Sequence, residues 1–257
     1  MKLFILAGGH GSRLGHITEA IPKPMVEIGG KPILWHIMKY YSTYGVKEFV
    51  ILLGYKGKAI KNYFYNYYAN NRNFEINLAT GETSFLENSD KEDWKVTLLD
   101  TGLDNLKGSR IKQAESLMDD VNFITYGDGV CNVDLDQLMS FHKEHGKTVT
   151  MTGVHPPSRF GELNLEGNKV VSFEEKPQIS TGGLINGGFM VFNKNMLENL
   201  SLEKDCDFEF GPLEELAHEG EIMVYKHDGE WECVDTERDL NYLNKVWNNG
   251  NAFWEKW

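Results

Sequence analysis

The chain has little cysteine, few cations for its many carboxylates, and no long apolar run. Its cysteines, Cys131, Cys206 and Cys233, are far apart and form no C-x-x-C pair. That excludes a disulfide framework or a zinc ribbon and fits a reducing, cytoplasmic setting. Cys131 and Cys233 each lie within three residues of an aspartate, Asp128 or Asp235, yet read as small buried side chains and not as ligands. Lys and Arg number 26 against 38 Asp and Glu, a net charge of −12. Such a chain repels nucleic acid in general, so a nucleotide site must concentrate its few cations locally. No apolar stretch approaches the ~18 residues of a membrane span, and the N-terminus carries no basic leader or cleavage site. The expectation is a soluble cytoplasmic protein with no membrane or nucleic-acid partner. There is also no internal repeat, no G-x-S-x-G elbow and no evident Ser–His–Asp set, so nothing indicates a covalent nucleophile.

What is present begins at residue 2. Leu3 to Ala7 is apolar on consecutive residues, the pattern of a strand buried on both faces. It breaks into Gly8, Gly9 and Gly11, then Ser12 and Arg13, and reaches Lys23 between Pro22 and Pro24. Closely spaced glycines let the backbone turn tightly and bring its N–H groups near a bound anion. Arg13 and Lys23 supply the cations that a triphosphate requires. The segment lacks the third glycine of a dinucleotide fingerprint and the Gly-Lys-Ser/Thr ending of a P-loop, which disfavours a nicotinamide-dependent oxidoreductase. Glycines with adjacent cations point to phosphate chemistry.

With 257 residues, 41% hydrophobic and 25% charged, the chain suits one large globular domain. The patterning predicts strands at 1–7, 48–53, 94–102 and 123–128, and helices at 31–44, 58–70, 108–118 and 134–145. A strand at TVTMTGV follows, then short strands in ELNLEGNKVVSFEEKP, a buried strand at INGGFMVF, and helices near 194–200, 209–219 and 236–248. Five aromatics crowd positions 63–68; a helix burying one face on a sheet is the favoured reading over a stacking platform. The alternation implies an α/β fold with a mixed, mostly parallel sheet flanked by helices, Rossmann-like, carrying a small β-rich insertion near 155–185. A nucleotide-binding half at about 1–150 would precede an acceptor-binding half at about 151–257. Asp128 ends the apolar run FITY, where a carboxylate at a strand's carboxyl end faces the ligand crevice, and Asp235 follows WECV in the same setting.

The run G-x-G-S-R followed by P-K-P resembles the entry motif of the sugar-phosphate nucleotidyltransferase family. PKPMVEIGGKPILWHIMKYYSTYG, GYKGKAIKNYF, TYGDGV, RFGEL, FEEKP, INGGF and VDTERDLNYLNKVWNNGNAFWEKW then occur in order and are similar to its cytidylyltransferase branch. The resemblance implies a GT-A-like fold and transfer of CMP from CTP to glucose 1-phosphate, giving CDP-glucose and pyrophosphate for surface polysaccharide. It assigns Mg²⁺ to Asp128 and Asp235, and catalysis to Arg13, Lys23 and Asp128. Its nucleotide site comprises Leu6, Ala7, Gly8, Gly9, Gly11, Ser12, Arg13, Lys23, Arg110 and Asp128. Its sugar-phosphate site comprises Glu175, Lys176, Asn186 and Gly187, with Lys176 on the phosphate and Glu175 on sugar hydroxyls. The family commonly forms trimers or hexamers, which implies a homo-oligomer.

The chain departs from the family pattern at three places. Ser12 replaces a Thr. Asp207 to Leu213, DFEFGPL, stands where relatives carry T-W-E-x-E-P-L, losing an indole and a carboxylate. Leu184 stands where an aromatic is frequent. Another sugar 1-phosphate, or a phosphorylated non-sugar, therefore stays open as acceptor, as does a catalytically silent nucleotide-binding regulator.

Overall fold

The computed structural model describes residues 1–10, 14–15, 19–86, 92–157, 162–166, 169–174 and 183–257. Among the described residues, seven strands form one sheet: β1 (Lys2–Ala7), β2 (Glu48–Leu53), β3 (Lys95–Asp100), β4 (Val121–Tyr126), β5 (Val149–Val154), β6 (Ile185–Asn193) and β7 (Ile222–His227). Their order across the sheet is β7-β5-β6-β4-β1-β2-β3. All neighbours are parallel except β6, which runs antiparallel to both β4 and β5. This is the mixed, mostly parallel sheet that the patterning predicts.

The continuous apolar run of β1 has a simple cause. Leu3, Ile5 and Ala7 point into one core cluster while Phe4 and Leu6 point into another on the opposite face. Each such side chain removed from water contributes about 1.5–3 kcal/mol, so a helical layer covers both faces. The first cluster takes side chains from α1 (Ile33–Thr43), α2 (Gly57–Tyr65), α5 (Leu135–His145) and α7 (Glu237–Asn248). The second takes them from α4 (Lys107–Gln113) and α6 (Glu214–His218). A short α3 (Tyr67–Asn71) continues α2 after a break at Asn66.

Four elements differ from the sequence reading. The aromatic helix breaks at Asn66 and the face it buries is narrow: Gly57 and Ile60 are buried and Phe64 packs against the first cluster, while Tyr65 is 89% exposed. The helix expected over 209–219 starts at Glu214, because Gly211 adopts φ 98° and Pro212 follows it. Residues Lys194–Asn199 form a 3₁₀ helix, and α4 stops at Gln113 before a 3₁₀ turn over Glu115–Leu117. The β-rich insertion is an antiparallel hairpin, Glu162–Glu166 with Lys169–Glu174, outside the main sheet.

Candidate active site

The carboxyl ends of β1 and β4 open into a cavity of about 580 Å³. Leu6, Ala7, Gly8 and Gly9 form one side, and Lys23, Asp128 and Asp235 close another. His10 lines the same cavity and stacks on Tyr55 with ring centroids 4.7 Å apart. The glycine loop is held close to the sheet, since Tyr55 donates its N–H to the carbonyl of Gly8 at 3.1 Å.

Lys23 sits in a 3₁₀ turn, Lys23–Met25, that the flanking prolines initiate. Pro24 is buried and packs against Gly127; a side chain at that glycine would stand 3.0 Å from the proline ring. The turn is thereby fixed against the end of β4. The Lys23 ammonium lies 2.6 Å from Oδ2 of Asp128 and 2.6 Å from Oδ1 of Asp235. Burial acts to lower the lysine's pKa, but Asp128 and Asp235 outweigh it, and the net shift is upward. Lys23 therefore stays charged at any working pH.

A two-stranded antiparallel ladder brings the aspartates together. Gly129–Cys131 pairs with Trp231–Cys233, setting Gly129 opposite Cys233, and Val234 donates its N–H to the carbonyl of Asp128 at 2.9 Å. Asp235 then leads into α7, whose N-terminus is closed by a capping box between Thr236 and Asp239. The cysteines act as packing: Cys131 is fully buried, burial pushes its thiol up to about 12, and burial likewise raises Cys233. Neutral thiols beside two carboxylates leave ligation to oxygen.

The donor set fits a hard divalent cation. Two carboxylates from different strands already converge on one positive group, and Mg²⁺ is commonly held by one or two carboxylates plus substrate phosphates and water. Among the described residues no cluster of three or more His, Cys, Asp or Glu forms a closed metal cage, so the remaining coordination would come from substrate and solvent.

Arg110 also lines the cavity, but its guanidinium is 4% exposed as a residue and engaged with the chain itself. It donates to the carbonyls of Leu53 at 3.0 Å, Gly102 at 2.7 Å, Leu103 at 3.2 Å and Gly8 at 3.4 Å, and to Thr101 Oγ1 at 2.8 Å. A side chain at Gly8 would fall 2.5 Å from that guanidinium. Arg110 thus clamps the glycine loop from behind, and with these bonds made it has little left for a base or ribose.

A network missed by the sequence reading joins Lys107, Tyr126, Asn186 and Glu209. Lys107 and Tyr126 line the cavity. Tyr126 donates its hydroxyl to Oε1 of Glu209 at 2.6 Å, and Lys107 donates to the same oxygen at 2.6 Å. Burial, then Glu209, raises the Tyr126 pKa, so the phenol keeps its proton. Asn186 donates Nδ2 to the Tyr126 oxygen at 3.2 Å, and Trp231 donates its indole N–H to the carbonyl of Gly187 at 2.8 Å. Asn186 and Gly187 therefore meet the site through Tyr126 and Trp231. Only the T-Y-G-D motif around Tyr126 offered a signal; no spacing links Lys107 to Glu209. A second cavity, about 250 Å³, adjoins the first and shares Asp235 with it.

Of the departures from the family pattern, Leu184, Phe208 and Gly211 do not line this cavity. Phe208 is fully buried in the second core cluster, and Gly211 lies at an open turn with nothing near a would-be side chain. Gly11, Ser12, Arg13, Glu175 and Lys176 lie outside the described residues.

Comparison with known proteins gives a consistent picture. A model of the family described as nucleotidyl transferase matches residues 2–246. The chain is 46% identical, over the full length of both, to the glucose-1-phosphate cytidylyltransferase of Salmonella typhi. It is 45% identical, again over both full lengths, to a probable glucose-1-phosphate cytidylyltransferase of Bacillus subtilis. The crystal structure of HddC from Yersinia pseudotuberculosis superposes with a TM-score of 0.68 at 23% identity, covering 96% of this chain and 99% of that one, a likeness of fold.

Proposed function

The chain belongs to the nucleotidyl transferase family, and from that premise we propose how its residues carry the transfer of CMP from CTP to glucose 1-phosphate. The products are CDP-glucose and pyrophosphate. The observation that carries the reading is the Lys23 ammonium lodged between Asp128 and Asp235 at the edge of a glycine-walled cavity. A nucleotide sugar so formed would feed polysaccharide synthesis. Three unpaired cysteines and nucleotide substrates support a cytoplasmic site of action. No described helix is long and apolar enough to cross a membrane.

An oxygen of the sugar phosphate attacks the α-phosphorus of CTP; that P–O bond forms as the bond to the β-phosphate oxygen breaks. Both reactants are anions, so the protein's task is to align them and offset charge. Gly8 and Gly9 let the triphosphate approach the backbone, and Lys23 neutralises charge about the α-phosphate. Arg13 is proposed for the leaving pyrophosphate, with Gly11 and Ser12 completing the loop. Arg110 positions Gly8.

Asp128 and Asp235 would hold the divalent metal that this family uses, proposed to be Mg²⁺. When bound it supplies charge neutralisation on the phosphate oxygens. Glu209 aligns Lys107 and Tyr126, and through Tyr126 it supports Asn186 on the acceptor side. Glu175, Lys176, Asn186 and Gly187 are proposed to take the sugar phosphate. Because Phe208 and Gly211 do not line the cavity, their substitution leaves glucose 1-phosphate as the favoured acceptor. A homo-oligomer is also proposed, supported by the apolar side chains that the hairpin of Phe74–Ile76 and Thr83–Phe85 leaves in solvent.

A pyrophosphate-release screen of four nucleoside triphosphates against a panel of sugar phosphates tests the reading. CTP with glucose 1-phosphate is expected to be fastest. A faster pair with a different base or a different acceptor would replace it.

A further inference from the structure

A larger cavity, about 960 Å³, lies at the outer edge of the sheet beside β3, and no described residue lines both it and the cavity beneath the glycine loop. Aromatic side chains make its walls: Tyr67 and Tyr68 from α3 on one side, Trp35 and Trp94 on the other. The two indoles stand 6.3 Å apart, and Trp35 donates its N–H to the Tyr67 oxygen at 3.1 Å. The Trp94 indole N–H is buried with no acceptor among the described residues. Trp35 itself is buried at 8% exposure, whereas Tyr68 remains 53% exposed, so the open aromatic face of the cleft is on the α3 side.

Charge is concentrated here against the trend of the chain. Lys31, Lys61 and Arg72 face one carboxylate, Glu92, whose oxygens are both taken by Lys39 at 3.0 Å. Arg72 lies 4.7 Å over the Tyr68 ring and Lys31 lies 5.7 Å over the Trp35 ring. Among the described residues neither has a carboxylate in ion-pair reach. Lys61 pairs with Asp100 only at 3.4 Å and in solvent, a contact easily exchanged. Among the described residues, then, three cations line this aromatic-walled cleft with little acidic pairing, in a protein of net charge −12, an arrangement suited to an anion with a planar ring.

We infer that this cavity is a second ligand site, for a nucleoside diphosphate, separate from the site of reaction. The base would stack on the aromatic walls, an interaction that tolerates any base. The diphosphate would lie on Lys61 and Arg72, the guanidinium offering paired donors to phosphate oxygens. The volume suits such a ligand, at the upper end of small-molecule pockets.

The test is calorimetric titration of CDP into the full-length protein and into its Lys61→Ala/Arg72→Ala variant, with CTP turnover measured on the same samples. The variant is expected to bind one equivalent fewer per chain, or that equivalent at least tenfold more weakly, with turnover unchanged. The same stoichiometry and affinity in both proteins would overturn the site. A second reading needs no charge variant: CDP should alter the emission that Trp94 contributes, measured as the difference from Trp94→Phe. A Trp94 contribution indifferent to saturating CDP would also overturn it.

Discussion

Lys23 and Asp128 meet at 2.6 Å although 105 residues separate them, and the same ammonium reaches Asp235, 212 residues away, at 2.6 Å. Two carboxylates held that close would repel each other without a shared cation. The lysine keeps them converged, and under the proposed function that convergence prepares the place for a divalent ion, with the charge proposed to serve the phosphates beside it.

Asp128→Asn and Asp235→Asn should each lower turnover by about a thousandfold or more, because each removes one carboxylate charge from a site worth several kcal/mol of transition-state stabilisation. Thermal unfolding should change little, since the side-chain shape is kept. Initial rates across a Mg²⁺ titration check this. Near-normal turnover at low Mg²⁺ in either variant would remove that aspartate from the metal site.

Lys23→Ala should reduce kcat by about 10²–10³-fold, the scale for losing one preorganised charge at a transition state, while changing the KM for CTP far less. A raised KM at unchanged kcat would make Lys23 a binding residue only.

Arg110→Lys should destabilise the fold by about 2–4 kcal/mol, since several buried carbonyls lose donors that each contribute roughly 1 kcal/mol. A lysine cannot reproduce the planar fork that spans Gly8, Leu53 and Gly102. Urea unfolding midpoints give the difference, and a variant as stable as the parent would contradict the clamp.

How much of this was legible in the sequence depends on the range of the interaction. β1 and β2 were readable because a strand buried on both faces is apolar throughout, and Asp128 because it ends such a run before a glycine. Asp235 could be noted at the end of the strand-like WECV, but only family resemblance paired it with Asp128; the ladder that sets Gly129 opposite Cys233 joins segments about a hundred residues apart. The Arg110 clamp, the Lys107–Glu209 pair and the aromatic cleft were not readable. Each depends on which side chains the sheet order brings together, and the break at Asn66 turned an apparent core face outward. Gly211 with Pro212 did announce a break, but the surrounding helix formers obscured it.

His36 is fully buried among the C-terminal tryptophans, its Nε2–H bonding the Ile28 carbonyl at 2.8 Å while Nδ1 accepts from the Trp254 indole at 3.3 Å. Acceptance at Nδ1 requires the neutral ring, and burial lowers its pKa to about 4. Its contribution is therefore complete above the unfolded value near 6.5 and is lost as pH falls toward 4, a change of about 3 kcal/mol. Imidazole NMR shifts should show His36 neutral at pH 5. Titration near 6.5 would contradict the packing.

The Lys23–Asp128–Asp235 cluster is proposed to work on CTP and glucose 1-phosphate. Steady-state kinetics of the purified protein with both substrates and Mg²⁺, with CDP-glucose identified by mass, test it most directly. The expected kcat/KM for glucose 1-phosphate is at least ~10⁴ M⁻¹s⁻¹, the level of a working enzyme on its own substrate. A value far below that, with a different phosphorylated acceptor exceeding it, would overturn glucose 1-phosphate as the acceptor.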